Sequence, residues 1–247
     1  MSDTVPPRRH ARPFVLAGQK TRALHFATGE TQSRMNLKRP DALTLAYTRT
    51  MMGFLLLKPS PGSIAMIGLG GGSLAKFCHR HLPATVIRVL EINPHVIAMR
   101  DNFLVPADDD RFRVIECDGA DFVHHPPQPF DVLMVDGYDK RGLPACLCSQ
   151  AFYDDCSKLL AAGGILVVNL HLEQPDHAEH VARIHRSFND AVLVVDDDAD
   201  GNAIVFAEKG GMQTAPARRP AGMCQDAWHS LQDSFALILA AAARHNV

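Results

Sequence analysis

No stretch of this chain is apolar over the ~20 residues that a membrane-crossing helix needs. Its first ten residues, Met1 to His10, have no apolar centre from which a secretory signal could be built. Neither sign of charge dominates: 25 lysines and arginines stand against 27 aspartates and glutamates, a formal net charge of −2. That balance leaves no electrostatic footprint for nucleic acid. The six cysteines, Cys78, Cys117, Cys146, Cys148, Cys156 and Cys224, keep none of the spacings of a disulfide framework. Cys146-Leu147-Cys148 also lacks the two-residue gap of a zinc or redox pair, so buried free thiols of a reducing compartment are expected. The 13 histidines are scattered, and His79/His81 and His124/His125 stand too close together to share a helical face. No metal site is expected. These absences describe a cytoplasmic chain with no membrane or nucleic-acid partner.

Present instead is an ordinary globular balance, 47% hydrophobic and 21% charged, in 247 residues. This length suits one large α/β domain, or one domain with a small appendage. The most informative segment is Gly68-Leu69-Gly70-Gly71-Gly72-Ser73, between an apolar run and a helical stretch. A glycine-rich turn from strand to helix lets a ligand approach bare backbone and leaves the helix's first N–H groups available to it. About twenty residues on, the next strand ends in Glu91, where an acid can accept both hydroxyls of a ribose. Together they predict a nucleoside site.

The pattern divides the chain in three. Residues 1–60 read as a short N-terminal β segment and helix, with a disordered start to about residue 11 and strands at 14–16, 23–27 and 31–36. A helix over 42–57 follows, with Leu43, Tyr47, Thr50/Met51 and Phe54 at helical spacing. Pro59-Ser60-Pro61-Gly62 marks a boundary. Residues 61–210 then alternate strands (63–67, 86–90, 112–116, 131–135, 164–170, 191–195, 203–207) with helices (74–81, 94–103, 119–123, 149–160, 175–188). The first five strands are nearly continuous apolar runs, as parallel strands covered on both faces are. The expected fold is therefore α/β: a doubly wound, Rossmann-like sheet of seven mostly parallel strands. The turn over 196–202 is too short for a parallel crossover, so the last two strands should form an antiparallel hairpin. Residues 211–247 read as a loose linker and a final helix, 223–244.

Ligands of such sheets sit beyond the carboxyl ends of the strands. Reading those ends in order gives the glycine turn, Glu91, Asp118-Gly119, and Asp136-Gly137-Tyr138-Asp139 around an exposed Tyr138. One such acid is usually only a helix N-cap, and Asp118 could be no more. Four consecutive strand ends carrying glycines or acids point further. Glu91 suits a ribose and Asp118 the amino group of an adenine. An anionic rim tolerates a sulfonium and ammonium groups but repels a pyrophosphate, which favours an S-adenosyl ligand over NAD.

Residues 64–73, 89–94, 117–120 and 131–139 resemble the nucleoside-binding segments of spermidine synthases, the polyamine aminopropyltransferases. Residues 142–145 and 147–153 resemble that family's gating loop and following helix, and 41–52, with Tyr47, the helix lining its amine pocket. The resemblance spans residues 28–208. It implies transfer of an aminopropyl group from decarboxylated S-adenosylmethionine, the co-substrate, to an amine such as putrescine or an unusual acceptor. It also implies a homodimer. By matched position, Asp139 is the catalytic base with Tyr47 beside it, and Asp136 holds an amine and borders the nucleoside. Gln32, Gly68, Gly70, Gly72, Glu91, Ile92, Asp118 and Gly119 bind the nucleoside.

Two departures bear on the acceptor. Ser73 stands where the family's glycine motif has an Asp, and Arg49 replaces the acid of a Tyr-x-Glu motif. An inward Arg49 would repel a diamine. The alternatives are a methyltransferase using intact S-adenosylmethionine on the same fold, which loss of an acid at Ser73 would suit, and a non-catalytic nucleoside-binding homologue.

Overall fold

A computed structural model of the chain describes residues 10–27, 31–138, 142–197, 201–212 and 218–245. Three short strands, β1 (Phe14–Ala17), β2 (Thr21–His25) and β3 (Ser33–Asn36), form a small antiparallel sheet in that order. On β3 the alternation is plain: Ser33 and Met35 are buried and Arg34 is exposed. The expected turn at 28–30, like the first nine residues, lies outside the described residues.

The second sheet has seven strands: β4 (Ser63–Ile67), β5 (Val86–Glu91), β6 (Phe112–Glu116), β7 (Phe130–Val135), β8 (Leu160–His171), β9 (Val192–Asp197) and β10 (Asn202–Glu208). Their order is β6-β5-β4-β7-β8-β10-β9. The first four pairings are parallel, and β10 runs antiparallel to both β8 and β9. The closing hairpin is therefore as the short turn requires.

Period-two sorting of side chains builds the two cores. Ile64 and Met66 of β4 join Phe54, Phe77 and Ile238 in one apolar layer, while Ala65 and Ile67 join Leu133, Phe152 and Ile184 in the other. On the first face pack α1 (Ala46–Met51), α2 (Ser73–His81) and α8 (Gln232–His245). On the second lie α4 (Gly119–His124), α5 (Gln150–Leu159) and α6 (His177–Ser187). Each fully buried Leu, Ile or Phe contributes about 1.5–3 kcal/mol, which holds the strand ends in fixed register.

Three expected helices are shorter than their periodicity suggests. The 42–57 pattern becomes α1 and a 3₁₀ segment, Met52–Leu56. Its start, Leu45, offers no capping side chain. At Gly53 a Cβ would stand 2.2 Å from Ile238 Cδ1 and 2.8 Å from Phe206 Cζ, so the backbone here presses directly on α8 and β10. The 94–103 helix is one turn, α3 (Pro94–Ile97), capped by Asn93, and then a separate 3₁₀ turn, Arg100–Phe103. The buried Lys76 ammonium binds the Phe103 carbonyl at 2.7 Å and competes with helical continuation. The C-terminal helix breaks into α7 (Gln225–His229) and α8, where Ser230 Oγ donates to the Ala227 carbonyl.

All six cysteines are free thiols; Cys78, Cys148 and Cys156 are buried as expected, but Cys146 and Cys224 are exposed. No described helix is long and apolar enough to cross a membrane.

Candidate active site

A cavity of about 1160 Å³ opens beyond the carboxyl ends of β4, β5, β7 and β8, with residues of the small sheet forming part of its wall. Gln32, Tyr47, Gly68, Gly70, Glu91, Ile92, Asp118, Gly119 and Asp136 all line it. The expected site residues are thus brought together, with two exceptions. Asp139 lies outside the described residues. Gly72 is not in the wall: it caps α2 at φ 67°, and a Cβ there would stand 2.5 Å from Val105 Cγ2. Its task is the turn itself. Gly68, at φ 98°, serves both ends, because a Cβ on it would lie 2.2 Å from the Asp136 carbonyl oxygen. That contact lets the β4 and β7 ends meet.

The acids at β5 and β6 are held by backbone. Glu91 is buried, and its two oxygens accept from Leu69 N–H at 2.9 Å and Asn93 N–H at 2.8 Å. Burial pushes its carboxyl up, and backbone donors, Leu69 first, pull it back. Gly70 and Ile92 N–H groups also act on this carboxylate, so the β5 end is held by a ring of backbone donors from the glycine turn and the strand end. Asp118 Oδ1 caps α4 through Ala120 N–H at 3.0 Å while the residue also lines the cavity, so capping and ligand-facing roles coexist. The first turn of α2, through Ser73, Leu74 and Ala75, borders the same space.

The acid at β7 is held differently. Asp136 Oδ2 accepts from Tyr47 Oη at 3.1 Å and Oδ1 from Asn169 Nδ2 at 2.9 Å. Crowding by protein raises its carboxyl above the usual range, against the pull of Asn169, Tyr47 and nearby His171. Asn169 comes from near the carboxyl end of β8, is 2% exposed, and leaves its own Oδ1 buried with no hydrogen-bond partner among the described residues. A buried acceptor without a donor is costly, and this one borders a cavity. Tyr138, expected to be exposed, is half-buried: its ring stacks on His171 at 4.0 Å and 7°, and its hydroxyl accepts from His171 N–H at 2.9 Å. Asn169, His171, Asn202, Ser33 and Arg34 are lining residues that sequence reasoning missed. Only Asn169 carried a signal, a lone amide inside the apolar run 165–170.

Arg49 does not line the cavity; its guanidinium donates to the Leu43 carbonyl at 3.0 Å. The repulsion expected of an inward Arg49 is therefore absent. Ser73 Oγ sits 3.3 Å from Ser33 Oγ, closing α2 against β3. Among the described residues no group of three His, Cys, Asp or Glu could hold a metal ion.

Fold and site define a Rossmann-like, ligand-binding α/β protein with acids at successive strand ends. Residues 44–196 match the spermine/spermidine synthase domain. A polyamine aminopropyltransferase of Chromobacterium violaceum is 36% identical over 211 residues, covering 82% of this chain and 81% of that protein. Among solved structures, a probable spermidine synthase from Corynebacterium glutamicum superposes with a TM-score of 0.72 at 17% identity, over 90% of this chain and 82% of that one. A spermidine synthase in complex with the transition-state analogue AdoDATO gives 0.62 at 19%, over 92% and 85%. The chain belongs to the spermine/spermidine synthase family and is a transferase.

Proposed function

We propose that this chain moves the aminopropyl group of decarboxylated S-adenosylmethionine to a primary amine and releases methylthioadenosine. The observation that carries the reading is one cavity holding two kinds of site: a backbone-held glutamate beside a glycine turn, and Asp136 between Tyr47 and Asn169. Family membership supports the same reaction. The acceptor nitrogen attacks the carbon next to the sulfonium, the carbon–sulfur bond breaks, and its electron pair neutralises the sulfur.

In this reading Glu91 takes the ribose hydroxyls and Asp118 the adenine amino group, with Gln32, Ile92 and Gly119 around them. Gly68 and Gly70 let the sulfur-bearing end approach backbone. Asp136 holds the ammonium of the transferred chain, and the unpartnered Asn169 Oδ1 accepts one of that ammonium's N–H bonds. Asp139, three residues on in the sequence, takes the proton from the acceptor nitrogen, with Tyr47 as its partner in the reaction. Holding both reactants in one cavity supplies much of the acceleration. Residues 61–210 make the catalytic unit, 1–60 cover its cavity, and 211–247 are linker and closing helix. A homodimer in the cytoplasm, with no metal, completes the proposal.

Parallel calorimetric titrations with methylthioadenosine, S-adenosylhomocysteine and decarboxylated S-adenosylmethionine test it. Methylthioadenosine and the decarboxylated donor should bind, and Asp139→Asn should keep that affinity while losing turnover. Preference for S-adenosylhomocysteine would replace this reading with methyl transfer.

A further inference from the structure

Backbone pairing between β7 and β8 runs from Phe130 with Leu160 to Val135 with Val168. Past that rung β8 continues to His171, which pairs on its far side with Asn202 of β10. On the near side, side chains tie β8 to the end of β7. Asn169 Nδ2 donates to Asp136 Oδ1 at 2.9 Å, and His171 N–H donates to Tyr138 Oη at 2.9 Å. Asn169 and His171 stand two residues apart on one strand, so they share a face, and both line the cavity. The Tyr138 ring also lies flat on the imidazole, with centroids 4.0 Å apart and planes within 7°. Burial keeps its phenol protonated, so the bond from His171 is received by a neutral hydroxyl.

Asp136 and Tyr138 need separate anchors because Gly137 lies between them. Glycine, with no Cβ, leaves both backbone torsions open, so fixing Asp136 does not by itself fix Tyr138. A Cβ at Gly137 would stand 2.6 Å from Leu147 Cδ1, so Leu147 occupies the space that a stiffer residue would need. The bonds from Tyr47 and Asn169 hold the Asp136 carboxylate and do nothing for the chain beyond Gly137. Tyr138 holds that chain twice, by its hydroxyl and by its ring face. The residue that follows it in sequence is Asp139, the proposed base.

We infer that Tyr138 and His171 are a positioning pair for the proposed transfer, fixing the chain beyond Gly137 so that the acid after Tyr138 is presented to the acceptor nitrogen. This rests on the aminopropyl-transfer reading.

Methylthioadenosine release from decarboxylated S-adenosylmethionine, with putrescine as acceptor, is measured on the full chain at about pH 9. That pH keeps Asp136 ionised when the pull of the imidazole on it is removed. Methylthioadenosine affinity is measured alongside by calorimetry. Tyr138→Phe keeps the stack and removes the acceptor of the His171 N–H, and should lower kcat about tenfold. Tyr138→Ala removes both ties and should lower it about 100-fold, the scale of a misplacement of roughly 1 Å. His171→Ala should lower kcat about tenfold, and His171→Phe, which restores a flat ring, should recover most of that loss. Methylthioadenosine affinity should stay within about threefold of wild type in all four variants. Turnover by Tyr138→Ala within about threefold of wild type overturns the inference. Affinity that falls in step with kcat also overturns it, since the pair would then support the whole cavity. His171→Phe as slow as His171→Ala overturns it too, because the imidazole would then act other than as a seat for Tyr138. In each of these cases release by the wild type leaves aminopropyl transfer standing. A wild-type chain that binds the donor and releases no methylthioadenosine overturns the reaction itself, and this inference with it.

Discussion

The two ends of the cavity hold their acids by different means. At the end proposed for the nucleoside, Glu91 and Asp118 accept from backbone N–H groups 2 to 22 residues away in sequence. At the end proposed for the amine, Asp136 depends on side chains 89 and 33 residues away, Tyr47 and Asn169. Backbone donors stay whatever the neighbouring side chains become. Side-chain donors can be replaced one at a time, so in the proposed reaction the acceptor can change while the nucleoside site stays as it is.

The largest expected effect is at Asp136. Asp136→Asn should lower turnover by about 10²–10⁴, the range for loss of an essential acid–base or charge-pairing group. The wild-type rate should also fall as pH drops through the raised range of its carboxyl, because the working form is the anion. Stability moves the other way. A folded carboxyl raised above its unfolded value costs stability once pH exceeds the unfolded pKa of about 3.9, and the cost grows through the folded value. The Asn variant should therefore melt higher than wild type at pH 7.5, by about 2 °C, and lose that advantage near pH 3.5. Calorimetric scans at the two pH values check this. A variant that melts lower at pH 7.5 would mean the side-chain pair, not the ligand, is what Asp136 chiefly serves.

The same contrast explains what could be read in the sequence. Glycine turn, Glu91 and Asp118 are local: strand, turn and helix follow within one unit, so their positions fix their neighbours. Alternating elements and the brief 196–202 turn likewise determined the parallel sheet and its antiparallel end. Asn169, His171 and Asn202 reach the cavity only because β8 lies between β7 and β10. No local pattern carries that order. The breaks in the first and last helices were hidden for a similar reason, since the close approach of Gly53 to Phe206 and Ile238 joins segments more than 150 residues apart. The direction of Arg49 depended on a free carbonyl at Leu43, which exists only because the helix starts later than its periodicity suggests.

Glu91→Gln probes the opposite end. Its amide would present N–H₂ to backbone donors on one side, Leu69 or Asn93 among them, so at least one of those bonds is lost and the turn shifts. Methylthioadenosine affinity should fall about 10- to 100-fold, in line with a charge-assisted bond of roughly 1.5–3 kcal/mol. The acceptor KM, measured at saturating donor, should stay within about threefold of wild type if the ends are independent. A parallel rise in both constants would show that the glycine turn transmits strain through Gly68 to Asp136, whose carbonyl it touches.

Arg49→Ala should do least, and its smallness is informative. The guanidinium donates to the Leu43 carbonyl and lies outside the cavity wall, so its removal takes a hydrogen bond of about 0.5–1.5 kcal/mol from the α1 entry. It takes no charge from the acceptor. Thermal stability should drop slightly, while kcat/KM for putrescine and for a monoamine stays within about threefold, the scale on which remote sites remain additive. A selective gain with putrescine would mean that Arg49 swings inward when the cavity fills. Charge at the amine end would then be set by a movable cation on α1 as well as by the fixed wall of β7 and β8. If both acceptors are unaffected, discrimination comes from groups that already line the cavity, Arg34 and His171 among them.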